Sequence, residues 1–124
     1  MEAKGANTDN VQMWGTGIVR REFTFVNDVA DYVSKIIFNL EKIPQTMNLG
    51  AGIDYSVREY YEIVCEVANY KGKIVSDTTR PEGMFSKLMD SSIARQNGWK
   101  PTTDLRTGIH IAIEDFMLNN QGTK

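Results

Sequence analysis

Three segments of this chain repeat apolar side chains at helical spacing, and each such stripe needs a surface to pack against. The segments follow Asp28, Ser56 and Asp104. Their apolar positions are Val29, Val33, Ile36, Ile37 and Leu40; Val57, Tyr60, Tyr61, Val64 and Ala68; and Leu105, Ile109, Ala112, Ile113, Phe116 and Met117. Only short β-prone runs lie between them. The pattern therefore predicts an α/β fold, a small mixed domain in which a few strands serve three helices.

Helix boundaries carry recognisable signals. Ser56-Val57-Arg58-Glu59 forms a capping box, in which a hydroxyl and a carboxylate bond the free N–H groups of a helix start. Asp28 is predicted to cap the first long helix, which runs to about Leu40, and Asp104 to cap the last. Asp90 or Ser91 caps a short helix through Gln96. Gly98, with Pro101 just beyond, ends that short helix.

Three short runs are predicted to be strands, the second of the four runs below is β-prone, and glycine pairs mark two of their ends. The runs are Val11–Trp14, Phe23–Val26, Thr46–Leu49 and Lys73–Asp77. Gly15-Thr16-Gly17 follows the first, and Gly50-Ala51-Gly52 follows the third. A turn-rich loop over 78–83 follows the fourth. The domain is expected over 11–118, between a flexible N-terminal segment, 1–10, and a flexible tail, 119–124.

The charge balance argues against two classes of partner. A formal net charge of −2 gives no basic field for nucleic acid or a membrane surface. No apolar run approaches the ~18 residues that a membrane span needs, and the first residues lack the apolar core of a signal peptide. The single cysteine, Cys65, has no partner for an internal disulfide. A cytoplasmic location is therefore expected.

The stretch from Trp14 to Asp28 is the candidate binding segment. A glycine-flexed loop presents Trp14, and Arg20 and Arg21 follow it. An aromatic face beside guanidinium groups suits a ligand with a flat ring and phosphates. A surface hairpin with a half-buried tryptophan and two solvated arginines is the alternative. The glycine pair lacks the third glycine of the dinucleotide fingerprint, because Arg20 stands at that position.

Two residue types with catalytic potential are interpreted as structural. Cys65 lies in a predicted helix without a nearby histidine or lysine to activate it, so we expect it to be half-buried and unreactive. His110 has no histidine, cysteine or carboxylate at metal-ligand spacing, so it is expected to be a structural or surface residue. The sequence thus predicts no catalytic, cofactor-binding or metal-binding residue.

Seven motifs in order resemble the C-terminal portion of the GDP-L-fucose synthases, a branch of the extended short-chain dehydrogenase/reductase family of nucleotide-sugar epimerases and reductases. The resemblance runs from about Val11 to Leu118. The motifs are Trp14-Gly15-Thr16-Gly17; Arg21-Glu22-Phe23 with Asp28-Val29-Ala30; Asn48-Leu49-Gly50-Ala51-Gly52; Ser56-Val57-Arg58-Glu59; Asp77-Thr78-Thr79-Arg80-Pro81-Glu82-Gly83; Lys87-Leu88-Met89-Asp90; and Gly98-Trp99-Lys100-Pro101.

The resemblance implies three substrate-binding residues, Trp14, Arg21 and Lys87, which match the family's contacts to the GDP-sugar. Arg20 is expected to assist. Two departures bear on this site. Phe25 and Asn27 replace residues common near the family's domain junction. Phe85-Ser86 replaces the frequent Pro-Arg, so the phosphate neighbourhood is expected to hold one cation fewer.

The resemblance also implies what lies outside this chain. The intact family enzyme uses NADP through an N-terminal Gly-x-x-Gly-x-x-Gly loop and a Tyr-x-x-x-Lys pair, and this sequence contains neither. The expected protein is therefore the substrate domain, with the last elements of a Rossmann-type domain, of an NADP-dependent GDP-4-keto-6-deoxymannose 3,5-epimerase/4-reductase, inactive alone. The expected partners are a GDP-sugar and either the missing nucleotide-binding domain or a second copy. One alternative is a non-catalytic interaction module, and another is part of a UDP- or dTDP-sugar epimerase/reductase.

Overall fold

The computed structural model describes residues 9–119, so most of the segments 1–10 and 119–124 lies outside it. The helices are α1 Val26–Ile36, α2 Val57–Val67, α3 Ser92–Gln96 and α4 Leu105–Asn119, with a 3₁₀ segment at Ile37–Lys42. The strands are β1 Asn10–Trp14, β2 Arg20–Arg21, β3 Tyr55–Ser56, β4 Lys73–Asp77 and β5 Ser86–Lys87. The predicted mixed α/β class is confirmed.

Two small sheets organise the strands. β1 pairs with β4 in parallel, from Asn10 opposite Lys73 to Trp14 opposite Asp77. β2 lies at the centre of the other sheet, antiparallel to β3 and parallel to β5. Because parallel strands end at the same edge, the loops after β1 and β4 leave the first sheet side by side.

The core forms where α1, α3 and the segment before Gly50 meet. Tyr32, Ala94 and Trp99 are buried there. The Trp99 indole N–H donates to the Gly50 carbonyl at 2.8 Å, and its ring meets Tyr32 edge-on at 5.4 Å between centroids. The Ser91 hydroxyl accepts from Gly50 N at 2.9 Å. The buried polar groups of this core are therefore bonded as well as packed.

Asp28 does not cap α1, which corrects the prediction. The helix begins two residues earlier, after an extended Phe25 that makes no side-chain cap. Both Asp28 carboxylate oxygens instead accept from the backbone N–H and hydroxyl of Thr102 and Thr103, at 2.9–3.1 Å. The carboxylate thus ties the first turn of α1 to the segment before α4. The helix also ends at Ile36 and continues as the 3₁₀ segment, rather than as one helix to Leu40.

The other helix signals have mixed outcomes. The Ser56–Glu59 capping box is present in both directions, and Asp104 Oδ1 accepts from Thr107 N at 2.9 Å. Gly98 takes φ +89° at the end of α3, as a glycine stop requires. At the start of α3, Asp90 Oδ1 accepts from Ser92 N, while the Ser91 hydroxyl is occupied by Gly50.

The strand predicted at 46–49 is wrong, and the β-prone run 23–26 forms no strand either. Phe23–Val26 leads directly into α1, and the Phe23 ring lies 4.3 Å from that of Tyr60. Thr46–Leu49 makes no ladder, and Met47 and Leu49 pack on the core instead. A β-prone run becomes a strand only beside another strand, and within residues 9–119 none lies next to these. The pairing that does form involves Arg20–Arg21.

The apolar stripes are only partly covered. Tyr60 and Ala68 of α2 are buried, and Val29 and Ile36 of α1 pack on the core. By contrast, Val33, Ile37 and Leu40 are exposed, and Phe38 beside them is 88% exposed. No side chain of α4 is fully buried, and Ala112, Phe116 and Met117 are exposed. We call Val33, Ile37, Phe38 and Leu40 the α1 apolar face.

Candidate functional site

Trp14 lies at the exposed edge of the two-stranded sheet, with Arg80 over its ring. The Arg80 guanidinium carbon is 5.0 Å from the centroid of the indole, within cation–π range. Arg80 Nε is 3.3 Å from Asp77 Oδ2, and Gly15 N donates to the Asp77 carbonyl at 2.8 Å. Hydrogen bonds from Thr79, and then from Arg80, hold the pKa of Asp77 below its usual range. Asp77 therefore anchors both the loop behind Trp14 and the cation above it.

The loop after Trp14 does not fit a dinucleotide diphosphate. Gly15 and Gly17 both have positive φ, +74° and +82°, and Glu82 accepts from the backbone and hydroxyl of Thr16. The chain then continues into β2. The dinucleotide site needs a glycine loop that opens a helix, whose N-terminus faces the phosphates. This loop opens no helix, so we assign it no cofactor.

Arg21 and Lys87 are brought together by the second sheet. They are register partners on the parallel strands β2 and β5, and paired residues of neighbouring strands point to the same face at about 5 Å spacing. Arg21 Nη1 donates to the Met84 carbonyl at 2.8 Å, whereas Lys87 is exposed. Trp14 belongs to the other sheet and connects to this pair through the loop 78–85, whose Glu82 bonds Thr16.

Tyr60 supports the strand that carries Arg21. Its hydroxyl donates to the Arg21 carbonyl at 2.8 Å. Burial of the phenol raises the pKa of Tyr60 to about 12, so the hydroxyl stays protonated and remains a donor at physiological pH. The packing of Phe23 against Tyr60 adds an apolar support beside the same strand.

Arg20 points to the opposite face and is engaged in an ion pair. Its Nε lies 2.8 Å from Asp54 Oδ1, and its Nη2 donates to the Asp54 carbonyl at 2.7 Å. The hydrogen bond from Arg20 lowers the pKa of Asp54. The Ser86 hydroxyl donates to the other Asp54 oxygen at 3.1 Å. The expectation that Arg20 assists Arg21 is therefore not met by this geometry.

Ser86, which stands where the family frequently has an arginine, lies on the opposite face of the sheet from Lys87. Ser86 is the register partner of Arg20, one residue before Lys87, so the two alternate across the sheet. An arginine at 86 would face Asp54 and not the surface that carries Lys87. The register places this departure on the face that Asp54 occupies, and the loss of a phosphate-binding cation stays a prediction.

Cys65 and His110, both interpreted as structural from the sequence, lie on different helices. Cys65 is half-buried, and burial raises the pKa of its thiol. His110 is exposed, with Nε2 at 3.4 Å from Glu114 Oε1, so a carboxylate does lie one helical turn away, contrary to the prediction. Within residues 9–119, no group of three histidine, cysteine or acidic side chains is placed to hold a metal. None of the helices in that range is long and apolar enough to cross a membrane.

Two contributors to this region, Arg80 and Asp54, were not singled out from the sequence. The proximity of Arg80 to Trp14 could have been predicted from one signal. Arg80 follows β4, Trp14 ends β1, and the loops that follow two parallel strands lie at one edge of the sheet. Asp54 gave no signal, since its pairing with Arg20 depends on the antiparallel contact between β2 and β3.

Comparisons with known proteins agree with this architecture. Residues 1–50 match the model of the NAD dependent epimerase/dehydratase family. A GDP-L-colitose synthase of Yersinia pseudotuberculosis is 39% identical over 107 residues, which cover 86% of this chain and 35% of that protein. A GDP-L-fucose synthase of Azorhizobium caulinodans is 39% identical over 120 residues, 97% of this chain and 38% of that protein. The chain is thus similar to proteins of the NAD dependent epimerase/dehydratase family, whose model matches its first 50 residues.

A solved structure extends the likeness to three dimensions. A GDP-mannoheptose C4 reductase of Campylobacter jejuni with NADP bound superposes with a TM-score of 0.71 and 31% identity, over 94% of this chain and 39% of that one. The chain spans between a third and two fifths of the length of the relatives it matches. The relatives are named for GDP-sugar synthesis and reduction.

Proposed function

We propose that this chain is the GDP-sugar-binding portion of an NADP-dependent GDP-4-keto-6-deoxymannose 3,5-epimerase/4-reductase and is inactive alone. The observation that carries the proposal is the register of Arg21 with Lys87 on β2 and β5. That pairing sets two cations side by side on one face, as a diphosphate requires.

Trp14 supplies the part of the site that recognises a ring. The indole is 61% exposed, so it retains accessible apolar surface on which a base or sugar can pack. The loop 78–85 runs from β4, beside Trp14, to β5, which carries Lys87. A ligand with a base at one end and a diphosphate in the middle suits this layout.

The chemical steps belong to the rest of the proposed enzyme. The chain contains neither the Gly-x-x-Gly-x-x-Gly loop nor the Tyr-x-x-x-Lys pair, and its own glycine loop does not open a helix. We therefore propose that NADP binds to the part of the protein that this chain does not include. The single cysteine favours a cytoplasmic setting.

Calorimetric titration with GDP tests the binding claim. Lys87→Ala is expected to weaken GDP binding about ten-fold, because a charge-assisted contact to phosphate is lost. Lys71→Ala is the matched control, since Lys71 is an exposed lysine before β4, at the end of that strand far from Asp77. Equal affinities for wild type and Lys87→Ala, or the absence of measurable binding, contradict the proposal.

A thermal-shift comparison tests which nucleotide the chain binds. Thermal shifts with GDP, UDP and dTDP are compared at equal concentrations, and a larger shift with GDP is expected. A larger shift with UDP or dTDP assigns the chain to an epimerase/reductase of that sugar class.

A second candidate function, a non-catalytic interaction module, is favoured by the uncovered apolar side chains. The α1 apolar face is exposed, and a groove of 170 Å³ between Phe23–Phe25 and the first turns of α4 is lined mainly by apolar groups. Apolar patches of this kind mark binding surfaces. This function predicts self-association, or pairing with a separate nucleotide-binding chain. A monomer by light scattering at high concentration contradicts the self-association.

A further inference from the structure

Arg80 and Trp14 share one anchor, Asp77. Trp14 is the register partner of Asp77, and the next backbone N–H, of Gly15, donates to the Asp77 carbonyl. Arg80 reaches the same residue twice, with its backbone N–H on the Asp77 carbonyl and its Nε on the carboxylate. Asp77 therefore holds both the backbone that carries the indole and the guanidinium above the ring.

The two faces of the Trp14 indole differ in how far they are covered. A guanidinium 5.0 Å from the centroid of the Trp14 ring covers one face, yet the residue remains 61% exposed. An exposure that large requires the opposite face to be open. A planar cation on one side of an aromatic ring leaves the other side free for a second planar group.

We propose that Arg80 is a positioning residue, which holds the Trp14 indole with one face covered and the other presented to the base of the bound nucleotide. This inference rests on the proposed function, and it assigns to Arg80 a role in ring recognition and none in diphosphate binding. Asp77 restrains the guanidinium on the indole side, and Arg21 and Lys87 serve the phosphates.

Acrylamide quenching of tryptophan fluorescence tests the covered face without any ligand. Trp99 is 3% exposed and contributes little to quenching, and a Trp14→Phe variant identifies the signal of Trp14. Acrylamide is neutral, so a change of charge at position 80 does not alter its approach. Arg80→Ala is expected to raise the quenching constant of Trp14, by up to about two-fold, because the short side chain uncovers the second ring face.

Nucleotide binding tests the consequence. Arg80→Met is expected to weaken GDP binding about three-fold, the size of an exposed cation–π contact, and to leave the affinity for inorganic pyrophosphate unchanged. Arg80→Lys is expected to restore GDP binding only in part, because an ammonium does not stack as a planar guanidinium does. Arg106→Met is the matched control, since it removes an exposed guanidinium that pairs with Glu66 on other elements.

Each outcome separates this inference from the proposed function. An equal loss of GDP and pyrophosphate binding makes Arg80 a direct phosphate ligand and overturns the inference. Unchanged Trp14 quenching in Arg80→Ala overturns it as well, even where the wild type binds GDP. A wild type that binds no GDP contradicts the proposed function and the ligand part of the inference together, while the quenching result still decides the contact.

Discussion

The two tryptophans of this chain occupy opposite environments. Trp99 is 3% exposed, bonded through its indole N–H to Gly50 and packed edge-on against Tyr32. Trp14 is 61% exposed and has a cation over one ring face. Both the apolar surface and the N–H donor of Trp99 are used within the core, whereas most of the Trp14 ring remains accessible. The contrast shows that one residue type stabilises the core in one place and leaves exposed ring surface in another.

The largest expected effect is on the free energy of unfolding and comes from substitution of the buried Trp99. Trp99→Ala removes a buried ring and leaves the Gly50 carbonyl without its donor, so a loss of about 3–5 kcal/mol in the free energy of unfolding is expected. Urea unfolding followed by circular dichroism measures it. A loss below ~1 kcal/mol would mean that the core around Tyr32 does not hold the domain together.

Asp28 tests whether the core also depends on charge. Burial alone raises the pKa of Asp28, but the hydrogen bonds from Thr103 and Thr102 outweigh it, and the net shift is downward. A carboxyl with a lowered folded-state pKa stabilises the fold above its unfolded pKa, about 3.9 for aspartate, and this stabilisation is lost as the pH falls through the folded value. Asp28→Asn is expected to cost about 2 kcal/mol at pH 7.

The pH dependence distinguishes this role from a simple loss of packing. The difference between wild type and Asp28→Asn is expected to shrink as unfolding is measured at successively lower pH, below the ordinary aspartate range. Asp31→Asn, an exposed position on the same helix, is the control. A difference that stays constant with pH would show that the Asp28 charge does not contribute.

The smallest expected change in stability is at Trp14. Trp14→Ala is expected to alter the free energy of unfolding by no more than ~0.5 kcal/mol, because an exposed ring contributes little to the fold. The same variant is expected to lose about 1–3 kcal/mol of GDP binding, the value of one stacked base. Unfolding and calorimetry on one preparation measure both. A destabilisation close to that of Trp99→Ala would remove the distinction between the two tryptophans.

Local signals predicted the elements that depend on neighbours in sequence. The Ser56–Glu59 box, the Asp104 cap, the Gly98 stop and the strand Lys73–Asp77 are all present. Each rests on a bond within one turn, on a backbone angle that glycine favours, or on a short apolar run between turn residues. The mixed α/β class follows from the same signals.

Predictions that needed a distant partner were less successful. Thr46–Leu49 has the composition of a strand but no neighbour within residues 9–119 to pair with, and Asp28 bonds Thr102 and Thr103 rather than its own helix. The stripe on α1 predicted burial for Val33, Ile37 and Leu40, which are exposed. An amphipathic pattern identifies the helix face that is suited to burial, and the tertiary packing decides whether that face is buried.

For the candidate site, too, the residue types follow from the sequence and the contacts between them follow from the tertiary structure. By itself the sequence determined the residue types, an indole beside guanidinium groups and a lysine after a turn-rich loop, because ring and phosphate recognition require those groups. Only the tertiary structure paired Arg21 with Lys87, turned Arg20 and Ser86 toward Asp54, and set Arg80 over Trp14. Strand register and loop contacts fix these neighbours, and both arise between residues that lie far apart in the chain.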